Sequence, residues 1–302
     1  MKVNRNKIII ASGILILLVS ILFPPRFIRH ANGSMLPDKK IAFFQSVIDT
    51  LIRRGIDSAF IYKLVKTQET EFNEKYLKVN ITGYLKKPDY SSHYNYESIS
   101  ECREFLRDNR QILMRAQVQF GVPAKVITSI LWIESKFGSY TGKNHIPSVL
   151  LSTAVSNREE YIKLNLDEVE ENDDLDRVAK DSIKRKLSLR AKTKSEWALT
   201  ELLYLDSIQT RMPESVFSLY GSWAGAFGLS QFLPSSYYRW AVDGNGDGKI
   251  DLFVIEDAAF SVGNYLKTNG WGDADLQRRA AVHHYNNSDD YVNAVLLLAS
   301  RL

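Results

Sequence analysis

A single cysteine in 302 residues cannot close an internal disulfide, so the fold must stand on its buried core. An apolar content of 45% makes that feasible for one main domain with an extension. Cys102 shares helical spacing with Ile99, Phe105 and Leu106, which predicts a core position for its thiol. An excess of one charge is also missing. The net charge of +4 includes Lys2, Arg5 and Lys7, and it leaves no electrostatic footprint for nucleic acid, though a mildly basic surface suits an anionic cell wall. No internal repeat is visible, and the one long apolar run lies at the start of the chain.

That run extends from Ile8 to Phe23 behind the basic cluster and ends at Pro24-Pro25-Arg26, the layout of an export signal. No small-x-small cleavage site follows it, and no early cysteine offers a lipid anchor. Residues 1–24 are therefore expected to form an uncleaved signal anchor, positive end in the cytoplasm, with residues 25–40 as a linker leading outside. The second expectation is a cleaved, soluble periplasmic form. Either places the remainder of the chain in the cell envelope.

One carboxylate interrupts an apolar helix pattern. Between Pro123, which suits a first helical turn, and Gly138, which suits an end, Val126, Ile127, Ile130 and Leu131 recur at helical spacing. Glu134 follows Ile130 by four residues and Leu131 by three, so it shares their face, where scarce water favours the neutral acid. A carboxyl kept protonated near neutral pH is a general acid. Taken alone, a Glu near a helix end is more often solvated or salt-bridged.

A second segment shifts that balance. From Tyr220 to Tyr237 the chain groups Gly221, Gly225 and Gly228 with Ala224, Ala226, Ser222, Ser230 and Gln231. Glycines admit close backbone approach, while Ser and Gln supply hydrogen bonds to a ligand rich in hydroxyls and amides. Small residues serve tight packing equally well.

Taken together, Gly121 to Gly138 with Thr141-Gly-Lys143, Gly221 to Tyr237, Asp257 through Asn264-Tyr265-Leu266 to Gly270-Trp271, and Tyr285-Asn286 resemble the B-type membrane-bound lytic murein transglycosylases. These form family 103 of the glycoside hydrolases within the lysozyme-like superfamily. Four ordered blocks over roughly 170 residues make the match specific. Phe227 and Leu233 stand where methionines are common and Leu229 where an aromatic is usual, so apolar bulk is kept. The resemblance implies a mainly α (α+β) lysozyme-like fold. It places Glu134 on the single catalytic acid/base, Ser222 and Gln231 on polar residues beside it, and Tyr265, Tyr285 and Asn286 around the sugar subsites.

The implied reaction needs only one carboxylate, because the sugar's N-acetyl oxygen replaces the second. Glu134 would protonate the oxygen between N-acetylmuramic acid and N-acetylglucosamine in peptidoglycan, then deprotonate the muramyl 6-hydroxyl as a 1,6-anhydro ring closes. Two rival readings are a hydrolytic muramidase and a silent peptidoglycan-binding or scaffold module.

The run Asp243-Gly-Asn-Gly-Asp-Gly-Lys-Ile-Asp251 reproduces the first part of an EF-hand loop, with oxygen side chains at Asp243, Asn245 and Asp247. Val254 occupies the position of the usual closing Glu. The family's displaced acid falls on Asp257, with the Lys249 carbonyl as a backbone ligand and Asp251 and Glu256 as alternatives. A structural Ca²⁺ ion in a loop over residues 243–257 is the resulting expectation, with no organic cofactor.

The remaining organisation reads as helical. Ile41 to Lys66 predicts one or two helices, Lys86 to Tyr96 a connector and Ser98 to Phe120 one helix, so residues 41–96 form an N-terminal extension to a catalytic domain over 97–302. Residues 158–195, dense in charge, read as an insertion forming a solvated helical hairpin or a lid. Asp257 to Lys267 and Ala280 to Leu302 predict closing helices.

Overall fold

A helix buried on nearly every side organises the molecule. In the computed structural model, which describes residues 35–82, 89–170, 176–212 and 215–302, this is α6 (Ala124–Ser135). Only Lys125 is exposed on it and only Glu134 is half-buried, so the helix that carries the apolar stripe is buried nearly all round, its Thr128, Ser129 and Ser135 included. The predicted signal anchor and most of the linker lie outside the described residues, as do parts of the connector and of the acidic run. Among the described residues no helix is long and apolar enough to cross a membrane.

Helices precede α6 in the order α1 (Pro37–Arg53), α2 (Ser58–Lys66), α3 (Glu74–Thr82), a 3₁₀ turn at Ser91–Tyr94, α4 (Tyr96–Asp108) and α5 (Arg110–Phe120). Gly55, at a φ of 94°, separates α1 from α2. The single helix predicted over Ser98 to Phe120 is two. Asn109 leaves helical geometry at φ −107°, ψ 22°, and its side chain donates to the Phe105 carbonyl at 3.0 Å. The amide thus competes with the ladder as Asn does at helix ends. Cys102 is fully buried on α4, as its spacing predicted, and α4 packs on α6.

After α6 come β1 (Asn144–His145), α7 (Ile146–Ala154), α8 (Glu159–Glu170), α9 (Arg177–Ile208), β2 (Tyr220–Gly221), α10 (Pro234–Trp240), α11 (Ile255–Thr268), α12 (Asp275–Tyr285) and α13 (Asp289–Arg301). The strands pair antiparallel, with Asn144 opposite Gly221 and His145 opposite Tyr220. Around α6 pack α4, α5, α11 and α13, while α9 packs on α7 and α10. Phe44, Ile48 and Leu64 of the extension share one buried cluster with α6, α9 and α11.

The charged segment forms helices, but it does not stop at 195. The 32-residue α9 begins under Asp176, whose carboxylate accepts the Ala179 N–H at 2.7 Å, and enters the core without a break. Leu187, Ala191, Ser195, Ala198 and Leu202 face inward on it, and Ser195 donates to the Ala154 carbonyl at 2.6 Å. Farther along, buried Glu201 accepts the Ser235 N–H at 2.9 Å and its hydroxyl at 2.8 Å, holding the first turn of α10.

Candidate active site

The end of α6 is built from an unusual turn. Lys136, Phe137 and Gly138 adopt positive φ of 46°, 56° and 95° in succession, a conformation that costs a non-glycine residue of order 1 kcal/mol or more. Packing sustains it. Phe137 stacks on Phe105 of α4 with centroids 3.6 Å apart. Ser135, buried, donates to the Leu229 carbonyl at 2.8 Å and accepts the Gly138 N–H at 3.0 Å. One hydroxyl thereby joins the helix end to the glycine-rich segment. There Gly228 is required: at φ 74°, an added Cβ would lie 2.4 Å from that of Leu252.

Glu134 lies at this junction. The Tyr291 hydroxyl donates to its Oε1 at 2.6 Å, and burial raises its pKa to about 7, against the opposing pull of that hydrogen bond. No second acid contributes to the shift. Tyr291 is fixed in the first turn of α13, where Ser288 caps the helix by accepting the Tyr291 N–H. Burial holds both the Tyr291 and Tyr285 hydroxyls protonated, well above the ordinary phenol value, so they remain donors.

Aromatic rings continue from Tyr291 in a connected series. Tyr285 stacks near-parallel to it at 6.4 Å, Tyr265 follows at 4.7 Å from Tyr285, and Trp240 at 4.4 Å from Tyr265. On the other side Tyr90 meets the Tyr291 ring edge-on at 5.8 Å. The Tyr285 hydroxyl donates to the Ser230 carbonyl at 2.6 Å and the Tyr265 hydroxyl to the His284 carbonyl at 2.7 Å. Both hydroxyls are thus committed to backbone, and Tyr265 is buried. Asn286 is half-buried at the end of α12, beside Tyr285.

Gln231 holds a left-handed backbone, φ 49°, and its amide nitrogen donates to the carbonyls of Gly228 at 2.8 Å and Thr141 at 3.2 Å. Its amide oxygen is not used by either of these bonds. Ser222 serves its own turn first: its Oγ accepts the N–H groups of Ala224 at 3.2 Å and Ala226 at 3.1 Å, keeping its proton to donate.

Sequence reasoning missed Tyr291 and Tyr90. Tyr291 precedes Val295 by four residues, which marks a core-facing position, but its partner lies 157 residues away. Tyr90 stands in the expected connector, where nothing in the pattern distinguishes it.

The acidic loop is folded by its own hydrogen bonds. Asp243 accepts the N–H groups of Gly246 at 2.5 Å and Gly248 at 2.8 Å, which hold its carboxyl below the usual range. Asn245 Oδ1 accepts the Asp247 N–H at 2.9 Å, and Asp247 accepts the Lys249 N–H at 2.8 Å. Asp257, buried at the head of α11, accepts the N–H groups of Gly244 at 2.8 Å and Asp251 at 2.6 Å, while burial raises its pKa. Oxygen donors at alternate positions fit a hard cation in kind. Among the described residues, however, no three acidic, His or Cys side chains converge as a ready-made metal cluster.

The model of the family described as the transglycosylase SLT domain matches residues 41–282. The chain belongs to that family. Within it, the chain is 32% identical over 173 residues to the membrane-bound lytic murein transglycosylase B of Escherichia coli K12. That match spans 57% of this chain and 38% of the relative. Among solved structures, the E. coli lytic transglycosylase Slt35 in complex with calcium has a TM-score of 0.65 at 20% identity, covering 85% of this chain and 91% of that one. SltB3 from Pseudomonas aeruginosa in complex with NAG-NAM-pentapeptide has a TM-score of 0.62 at 19% identity, covering 86% and 78%. These likenesses establish for the SLT-family chain the mainly α, lysozyme-like fold that its motifs predicted.

Proposed function

We propose that this chain is a lytic transglycosylase that cleaves the MurNAc-GlcNAc bond of peptidoglycan without consuming water, leaving 1,6-anhydroMurNAc ends. The observation that carries this reading is one acid with a pKa near 7, fed by a single tyrosine hydroxyl and lacking a carboxylate partner. Such a group is about half protonated at neutral pH, so it serves as both donor and acceptor in one turnover.

Protonated Glu134 gives its proton to the glycosidic oxygen as the bond to the muramyl anomeric carbon breaks. The sugar's own N-acetyl oxygen supports that carbon, the part a second carboxylate plays elsewhere. The muramyl 6-hydroxyl then forms the new carbon–oxygen bond and returns its proton to Glu134. Tyr291 donates to the carboxylate in the intervening state, which keeps the ionised form accessible. Gln231, Ser222 and Asn286 present polar groups to the sugar, the Tyr285 ring lies beside them, and buried Tyr265 backs that ring instead of facing sugar.

The finer parts belong to the same proposal. Ca²⁺ would be held by Asp243, Asn245, Asp247, the Lys249 carbonyl and Asp257, supplying charge neutralisation that stiffens the loop next to Leu252 and Gly228. The donor types and the calcium complex of Slt35 support this. Peptidoglycan fragments bound to SltB3, and the membrane-bound character of the E. coli relative, support glycan strands as substrate and an envelope location. An N-terminal anchor, an extension over 41–96 and a catalytic domain over 97–302 remain the preferred organisation.

Mass spectrometry of sacculi digested by the purified protein tests the reaction. Anhydro-muropeptides are expected. Hydrated reducing ends would make the protein a muramidase, and no release would make it a binding module.

A further inference from the structure

The turn after Glu134 carries a cation with no carboxylate partner. Lys136 is exposed, sits at φ 46°, and forms no ion pair among the described residues. Its ammonium lies 5.6 Å from the centroid of the Trp132 ring and 5.3 Å from that of exposed Tyr140. Aromatic faces at that range hold a cation without neutralising it. Two buried polar atoms in this part of the molecule lack protein partners. Trp132, 8% exposed, has a buried indole N–H with no acceptor in the protein, and half-buried His93 has a buried Nδ1 with none either. Burial lowers the His93 pKa, and the charge of Lys136 acts in the same direction with Asp89 opposing. Leaving buried polar atoms unpaired is expensive, and such groups are normally matched by a ligand or by solvent.

This cluster adjoins the acid. His93 packs against Tyr90 at 6.0 Å, Tyr90 against Tyr291, and Tyr291 donates to Glu134. Within the SLT-family reading, on which the inference rests, Lys136 follows the acid by two residues at the exposed end of α6, so a strand presented to Glu134 passes close to its side chain. Each muramyl unit carries a lactyl group that ends in a carboxylate or in a peptide bearing carboxylates.

We infer that Lys136, flanked by Trp132 and Tyr140, is a specificity-determining site for a substrate carboxylate and directs the enzyme toward anionic glycan strands. An ammonium held on aromatic faces keeps its charge for an incoming carboxylate. The lysine's left-handed backbone, sustained by the Phe137–Phe105 stack, sets where that charge stands.

The test compares the full-length protein with its Lys136→Met and Lys136→Arg variants on peptide-bearing strands, on strands stripped of peptide, and on neutral N-acetylglucosamine oligomers read by binding. Lys136→Met is expected to raise KM on muramyl strands about ten-fold with kcat little changed, reducing the preference for anionic over neutral ligands by the same factor. Lys136→Arg should recover most of that preference. Added salt should weaken the wild-type preference and leave the Met variant indifferent. A defect confined to peptide-bearing strands identifies a stem carboxylate, and one shared by stripped strands identifies the lactyl group. An equal loss on neutral oligomers, a fall in kcat alone, or no change in KM overturns the inference. Absence of anhydro products from the wild type overturns the reaction reading instead.

Discussion

At the end of α6 a carboxyl stands among aromatic rings with one hydroxyl donor, whereas in the 243–257 loop a half-buried carboxyl accepts two backbone N–H bonds. Burial dominates the first and lifts Glu134 to a pKa of about 7; hydrogen bonds dominate the second and hold Asp243 low. Asp257 lies between them, since it accepts two N–H groups yet burial still raises it. The chemistry of a carboxyl here follows its surroundings: one kept ready to exchange a proton, one kept charged.

The strongest way to break this comparison is Glu134→Gln. Loss of proton exchange should lower turnover by about two to four orders of magnitude. Stability should move the other way. A folded pKa raised from 4.5 to about 7 makes ionisation favour the unfolded chain, so wild-type stability is fully present below about pH 4.5 and falls as pH rises toward 7. By about pH 8 the Gln variant should be the more stable by up to roughly 3 kcal/mol, and the two should coincide near pH 4. Parallel melting curves at every pH would contradict a buried, neutral acid.

Next in size is Tyr265→Ala. The resemblance places this ring against sugar, but it is buried and its hydroxyl is bound to the His284 carbonyl. Truncation should therefore cost about 3–5 kcal/mol of stability, measured by denaturant titration, and Tyr265→Phe about 1 kcal/mol. Weakened glycan binding with unaltered stability would restore a direct contact role.

For the acidic loop, saturating Ca²⁺ at a hundred times its Kd should add about 2.7 kcal/mol, raising the melting temperature. Asp247→Ala should abolish the rise. Metal-free protein indifferent to Ca²⁺ and to chelator would leave residues 243–251 an ordinary turn.

The smallest effect is expected from Tyr291→Phe. Its hydrogen bond lowers the Glu134 pKa, so removing it should move the alkaline limb of the pH–rate profile upward and reduce turnover about ten-fold through loss of one charge-assisted bond. An unmoved limb would detach Tyr291 from the acid.

Much of this was legible in sequence because it is local. Pro123, Gly138 and the apolar spacing between them mark α6 and set Glu134 near its end. The Asn109 break was hidden because apolar periodicity runs through it while one side-chain amide ends the ladder. The inward face of α9 was hidden for the opposite reason: Leu187, Ala191 and Ser195 recur at four-residue spacing beneath a charge run that reads as solvated. Tyr291 is a long-range partner, and no local pattern pairs it with Glu134.

The lone thiol has a practical corollary. Burial pushes Cys102 up to about 12, so at pH 8 only about one molecule in ten thousand carries thiolate there, and the sulfur is sheltered as well. Once α4 lifts from α6, the group returns to its ordinary value and its thiolate population rises about a thousand-fold. With no second sulfhydryl to compete, alkylation of this protein is a clock. Its rate counts how often α4 opens to solvent.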